Sequence, residues 1–348
     1  MESNKARILR ENRMTDIQIK STKHYKLLCD LKAQGISHTK AIVLVDESTT
    51  LKEDELKPGQ LGMIARYIYN NISLSSYMTP EETDKMIERN NLSTHPTSFG
   101  FLAAIHGLRK SNIHTILAES GDGKSTLAKK IAIDSANTGN TLLLLTEEET
   151  LQYQADLNNI CQSLLPEDRA KEILDQVKVI KESQFILSKH HCLKDWTDQV
   201  EKLIEREDIK TLIYDNVSTS IFSDKKPEEQ SESFKALNNI AQKYEIPVVA
   251  LIHPSKSGFS KKLTQNDIRG NSTFKNTSSY IFILQTLETS SGKKSFIKIE
   301  KSRHHSSAKG EYHLLNYKSL NSDFGFYIDD KLSNRESFNF AVKEHEKF

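Results

Sequence analysis

Cysteine is nearly absent from this chain of 348 residues: Cys29, Cys161 and Cys192 are scattered and odd in number. Such a set excludes a disulfide framework and a CxxC zinc site, and it fits free thiols in a reducing cytosol. His190-His191-Cys192 has no second ligand pair at metal-site spacing, so it reads as surface or core rather than as a metal site. No stretch approaches the roughly 18 apolar residues of a membrane span. The opening MESNKARILRENR is charged and has no apolar core, so no secretory leader is expected, and the cytoplasm is the expected compartment. Apolar residues make up only 36% and charged ones 27%, which describes a soluble protein with a polar surface. Net charge is +1, so the total announces no polyanionic partner. No internal repeat is visible.

What is present divides the chain in two. The length suits one large domain and a smaller appendage. Residues 1–95 read as an accessory module, small and mainly helical. Leu27, Leu28 and Leu31 suggest a helix, 41–45 (AIVLV) a short strand, 61–72 (LGMIARYIYNNI) a helix, and Thr79-Pro80-Glu81-Glu82 the cap and first turn of another. The polar stretch 90–98, with Pro96, marks the boundary.

From residue 96 to 348, apolar strands alternate with helical patterns. Strands are expected at 113–118, 141–145, 177–180, 212–214, 246–252, 280–284 and 296–299. Helices are expected at 125–136, 151–165, 196–205 and 229–244. This rhythm predicts an α/β fold with a doubly wound, mostly parallel sheet flanked by helices, and a ligand at the carboxyl ends of the strands.

The first such strand runs into Ala118-Glu119-Ser120-Gly121-Asp122-Gly123-Lys124-Ser125-Thr126. A P-loop has Gly, four residues, then Gly-Lys-Ser/Thr, and here Ala118 stands in the first position. The chemistry survives that change, because the loop grips phosphate through backbone N–H groups. Gly121 and Gly123 let the backbone curl without Cβ clashes, and the following helix points its positive end at the anion. Residues 119–126 are therefore the expected ATP cradle. Lys124 reaches the β- and γ-phosphates, and the Ser125 hydroxyl takes a Mg²⁺ position. Downstream, Leu212-Ile213-Tyr214-Asp215 places a carboxylate at a strand tip, where Asp215 can hold Mg²⁺ through water beside Ser125. Hydrolysis also needs a group to orient or deprotonate water. The strand ending at Leu145 runs into Glu147, Glu148 and Glu149. If it lies next to the P-loop strand, one of these stands near the γ-phosphate and the others are a solvated, acid-rich helix start.

Charge is uneven along the chain. Between Lys256 and Lys309 there are eleven basic residues and only Asp267, Glu288 and Glu300 as acids. That segment is either a phosphate-binding surface or a solvated lysine-rich one.

Taken in order, AESGDGKST, LLLLTEEE, LIYDN, VVALIHPSK, DIRGNS and KIEKSR resemble the RecA-like ATPase core of DnaB-type and RepA-type hexameric helicases, over about residues 99–315. The resemblance implies Glu148 as the catalytic base. It implies His253 as the strand-end sensor of the γ-phosphate, and Lys301 and Arg303 as the Lys-x-Arg pair that reaches the neighbouring subunit's nucleotide. It also implies a DNA-contacting loop at 255–267, where Lys256, Phe259, Lys261 and Lys262 combine phosphate contacts with base stacking. Arg269 sits in a segment similar to the family's Asp-Leu-Arg element. The chain departs from the family at Ala118 and in residues 1–95, which look like neither the usual helicase amino-terminal domain nor a primase.

Three functions follow from this sequence. The first is an ATP-driven motor on single-stranded DNA that works as a homo-oligomeric ring, a hexamer in the family. The second is a RecA- or RadA-like filament that pairs or anneals strands. The third is an ATP-gated regulatory or scaffold protein that binds no nucleic acid and engages a protein partner through residues 1–95.

Overall fold

A computed structural model describes residues 23–34, 64, 94–95, 97–185, 192–222, 227–254, 263–268, 272–321 and 324–346. The chain divides into two units, Met1–Arg89 and Asn90–Phe348. In the first, α1 (Lys23–Ala33) forms where Leu27, Leu28 and Leu31 suggest a helix, with Leu28 buried. Apart from Ile64, which is helical and buried, the other elements expected in that module lie outside the described residues.

The second unit opens with β1 (Thr94–His95), α2 (Gly100–Ala103) and β2 (Leu108–Arg109), the two short strands pairing antiparallel. The alternating part follows: β3 (Ile113–Leu117), α3 (Lys124–Ala136), β4 (Thr141–Leu145), α4 (Thr150–Leu164), α5 (Glu167–Gln176), β5 (Val177–Lys181), α6 (Leu193–Arg206), β6 (Thr211–Asp215), α7 (Pro227–Lys243) and β7 (Val248–Ile252). Last come α8 (Ser272–Thr277), β8 (Tyr280–Thr289), β9 (Gly292–Ser302), β10 (Tyr312–Ser319), β11 (Gly325–Ser333) and α9 (Arg335–His345).

Nine strands form one sheet in the order β11-β10-β9-β8-β3-β7-β6-β4-β5. From β8 to β5 every pairing is parallel, and from β8 to β11 every pairing is antiparallel. The central strands are buried at every position, as a parallel sheet covered on both faces requires. Successive side chains point to opposite faces. Leu143 and Leu145 pack with Leu127, Ile131, Leu157 and Ile160 of α3 and α4. Leu142 and Leu144 pack with Val200, Leu203, Phe234 and Leu237 of α6 and α7. Burying each leucine contributes about 2 kcal/mol. That exceeds the roughly 1–2 kcal/mol of backbone entropy lost per residue only by a margin, so the flanking helices are needed to hold so short a strand.

This order corrects one expectation. The strand Leu142–Leu145 does not lie next to the P-loop strand, because β7 and β6 stand between them. Both edges of β3 are taken, by β7 and β8, while β4 pairs with β6 and β5. The antiparallel part is also larger than the sequence reading has it. It contains two further strands, β10 and β11, and the helix α9, whose Phe338 and Ala341 pack on Leu287, Phe296 and Tyr312.

Candidate nucleotide site

The segment after β3 folds as the spacing predicts, from strand through glycine loop to helix. Gly121 and Gly123 have φ of 88° and 87°, in the left-handed region where glycine carries no Cβ penalty. Gly123 is the N-cap of α3, and no side chain caps that helix. Its first-turn N–H groups and its positive dipole end are thus left for an anion. A Cβ on Gly121 would meet nothing within 4 Å, whereas one on Gly123 would lie 2.5 Å from the Tyr327 hydroxyl oxygen.

The antiparallel strands hold this loop from behind. The amides of Glu119 and Thr286 donate to the two Asp122 carboxylate oxygens at 3.2 and 3.1 Å. The Thr286 and Tyr327 hydroxyls donate to the Asp122 carbonyl at 3.1 and 3.2 Å. Burial pushes the Asp122 carboxyl up to about 6, against the pull of those two amides.

Lys124, the first residue of α3, is buried. Its ammonium donates to the Glu119 carbonyl at 3.0 Å and lies 3.2 Å from His253 Nδ1. Burial pulls its pKa down, opposed by Asp215, Asp122, Glu147 and Glu119. His253 follows β7, with its amide held by Ser218 Oγ at 2.7 Å and its Nε2 3.1 Å from Asn216 Nδ2. The Asn216 side-chain oxygen Oδ1 accepts from the Thr219 amide and hydroxyl, which turns the side-chain nitrogen toward the imidazole. Both ring nitrogens therefore face nitrogen donors, and a neutral imidazole can accept from only one.

Asp215 ends β6, two strands from β3. It is buried, and burial pushes its carboxyl up to about 6, with Glu148 adding to the rise. The nearby Ser125 hydroxyl and the charges of Lys124 and Lys129 oppose it. The Tyr153 hydroxyl donates to it at 3.4 Å. Among the described residues no lysine or arginine pairs directly with Asp215. A buried carboxylate and a hydroxyl beside a phosphate cradle make the all-oxygen donor set that suits Mg²⁺, so Ser125 and Asp215 fit the metal.

The three glutamates separate. Glu149 pairs with Lys181 at the end of β5 and is largely exposed. Glu147 is half-exposed, 3.9 Å from His253 Nε2. Glu148 lies 3.1 Å from the buried Lys129 ammonium. It reaches the Asp215 neighbourhood because β4 pairs with β6, Leu145 opposite Asp215, and the Thr146 amide donates to the Asp215 carbonyl at 2.8 Å.

Lys301 and Arg303 are elsewhere. Lys301 sits opposite Ile281, near the start of β8, and β8 begins level with His114 of β3. The P-loop leaves the other end of β3, about 10 Å along the strand at ~3.3 Å per residue. Lys301 donates to the carbonyls of Lys275 (2.6 Å) and Ser278 (2.7 Å), and Arg303 to that of Asn276, all at the end of α8. Burial, with Arg303 and Lys275 nearby, pulls Lys301 down to about 8. This pair does not converge with the chain's own P-loop.

Lys256, Phe259, Lys261, Lys262 and Arg269 lie outside the described residues, as do His190 and His191. Pro254 and Ile268 form an isolated antiparallel bridge. Cys192 caps α6, its sulfur accepting from the Asp195 amide. Among the described residues no group of three side chains is arranged to hold a metal ion by itself.

The sequence reading misses Lys129, Tyr153, Asn216, Thr286 and Tyr327. Only Asn216 carried a signal, its place right after Asp215.

Residues 103–258 match the family model described as an AAA domain. The matched stretch contains the P-loop, Glu148, Asp215 and His253, and it supports an ATPase domain of the P-loop type that binds nucleotide. No curated protein matches the chain. No helix among the described residues is long and apolar enough to cross a membrane.

Proposed function

We propose that this protein is an ATP-driven motor on single-stranded DNA, a replicative or repair helicase that assembles as a hexameric ring and hydrolyses ATP between subunits. Lys124 and the amides of residues 119–126 hold the phosphates. Ser125 and Asp215 would hold Mg²⁺, which would supply positive charge to offset that of the phosphates. Glu148 orients and deprotonates the attacking water, and His253 registers the γ-phosphate through its contacts with Lys124 and Asn216.

One observation carries the assembly. The phosphate cradle lies at the carboxyl end of β3, and Lys301 and Arg303 lie toward the other end of that strand, where β8 begins and β9 finishes. A cation pair that cannot serve its own site can serve a neighbour's in a head-to-tail interface. Such an interface closes into a ring or propagates as a filament. A guanidinium supplied this way stabilises transition-state charge and couples hydrolysis to assembly. The basic residues Lys256, Lys261, Lys262 and Arg269, with Phe259, supply the DNA contacts, and residues 1–95 supply a surface for a protein partner.

The test is ATPase turnover with and without single-stranded DNA, run beside a mass measurement of the assembly with ATP. Stimulated turnover and a closed hexamer support the motor. An open-ended assembly that exchanges strands but does not unwind a fork points to the filament reading. Turnover indifferent to DNA points to a regulatory or scaffold ATPase.

A further inference from the structure

Lys129 lies one turn beyond Ser125 on α3 and is only 4% exposed. A buried ammonium is tolerated only where it is paired, and three groups surround this one. Asp156 of α4 approaches it at 2.7 Å, Glu148 at 3.1 Å, and the Tyr153 ring centroid lies 4.3 Å from Nζ. The two carboxylates differ. Asp156 is nearly buried, and its other oxygen accepts from Gln152 at 2.9 Å, so it is fixed on the helix. Glu148 stands in the loop between β4 and α4, with 38% of its side chain exposed. Asp156 and the Tyr153 ring anchor the lysine, and the lysine in turn holds Glu148. Tyr153 also extends this cluster to Asp215 through its hydroxyl.

We propose that Lys129 is the positioning residue for Glu148, which it keeps turned inward beside Asp215. The proposal rests on the reading of Glu148 as the base. Without the lysine, Glu148 would face the carboxylates of Asp156 and Asp215 uncompensated, and like-charge repulsion would drive it toward solvent. The groups nearest the lysine are Asp156, Glu148 and the Tyr153 ring. The lysine acts on turnover chiefly through the glutamate, its charge being the smallest of the influences on Asp215, so its removal should alter turnover far more than substrate capture.

Steady-state ATPase kinetics on the full chain test this, with Glu148→Gln, Lys129→Met, Lys129→Arg and the double variant Lys129→Met/Glu148→Gln. Glu148→Gln should lower kcat about a hundredfold or more, the usual contribution of a general base. Lys129→Met should lower kcat about tenfold or more, as misplacing a reacting group does, with KM for ATP near the wild-type value. Lys129→Arg should recover most of that loss, and the double variant should match Glu148→Gln alone. Should Lys129→Met fail to fold, Asp156→Asn loosens the same anchor and should lower kcat in the wild-type but not in the Glu148→Gln background. A further loss on adding Lys129→Met to Glu148→Gln would overturn the proposal, as would unchanged or raised kcat in Lys129→Met. Full kcat in Glu148→Gln would instead remove the base reading, and the proposal with it.

Discussion

The Ser125 hydroxyl lies close enough to the Asp215 carboxylate to oppose the rise of its pKa, although one residue sits in the first turn of α3 and the other ends β6, two strands away from β3. The sheet order makes the pairing possible. With β7 inserted between β3 and β6, the tips of β3 and β6 flank the end of β7, and His253 emerges between them. The glycine loop, the Ser125 and Asp215 oxygens and the His253 imidazole thus meet at the carboxyl ends of three adjacent strands.

Gly123 is the tightest point of the cradle. Its left-handed φ and the Tyr327 hydroxyl oxygen 2.5 Å from any added Cβ leave no room for a side chain. Gly123→Ala should destabilise the fold by about 1–3 kcal/mol and abolish nucleotide binding. Urea denaturation and binding of a fluorescent ATP analogue read the two effects separately. Normal binding by the variant would mean that the loop does not grip phosphate in this conformation.

Asp122 gives stability a pH dependence. Its folded value of about 6 lies above the ordinary carboxyl value of 3.8, chiefly because it is buried. Its contribution is therefore fully present below the unfolded value and is lost as the pH rises through about 6. Asparagine does not titrate, so the stability of wild type relative to Asp122→Asn should fall by about 2 kcal/mol between about pH 4 and pH 7. Urea unfolding across that range checks it. A pH-independent difference would mean that the Asp122 carboxyl is not shifted.

The remote cation pair makes a test of shared sites. Arg303→Ala should bind nucleotide normally while hydrolysis falls by roughly 10³-fold, and Lys124→Ala should lose turnover altogether. Mixed, the two variants should regain part of the activity, because some interfaces then join an intact cradle to an intact Arg303. Turnover assayed across mixing ratios reads this directly. No recovery at any ratio would mean that the site is not shared.

Legibility in the sequence followed burial. The strands β3, β4, β6 and β7 are covered on both faces, so their apolar runs stand out and end where the site begins. The strands β10 and β11 are half-exposed, and their mixed polar sequences YHLLNYKS and GFYIDDKLS carry no such run. Helix α5 is similar, with EDRAKEILDQ burying only Ala170 and Ile173. The P-loop was legible because its chemistry is local. The contacts that hold it were not, since Thr286 and Tyr327 are 164 and 205 residues from Asp122. Lys129 had no signal at all, because a lysine in a helix ordinarily marks a solvated face. Strand adjacency is not legible either, because apolar runs reveal strands but not their neighbours.

The central claim is that Ser125 and Asp215 hold the magnesium of a nucleotide gripped by the glycine loop. Calorimetric titration of a non-hydrolysable ATP analogue into wild type and Asp215→Asn, with and without Mg²⁺, tests it most directly. Wild type should bind more tightly with the metal, and Asp215→Asn should keep metal-free binding while losing most of that gain. An undiminished magnesium effect in Asp215→Asn would contradict it.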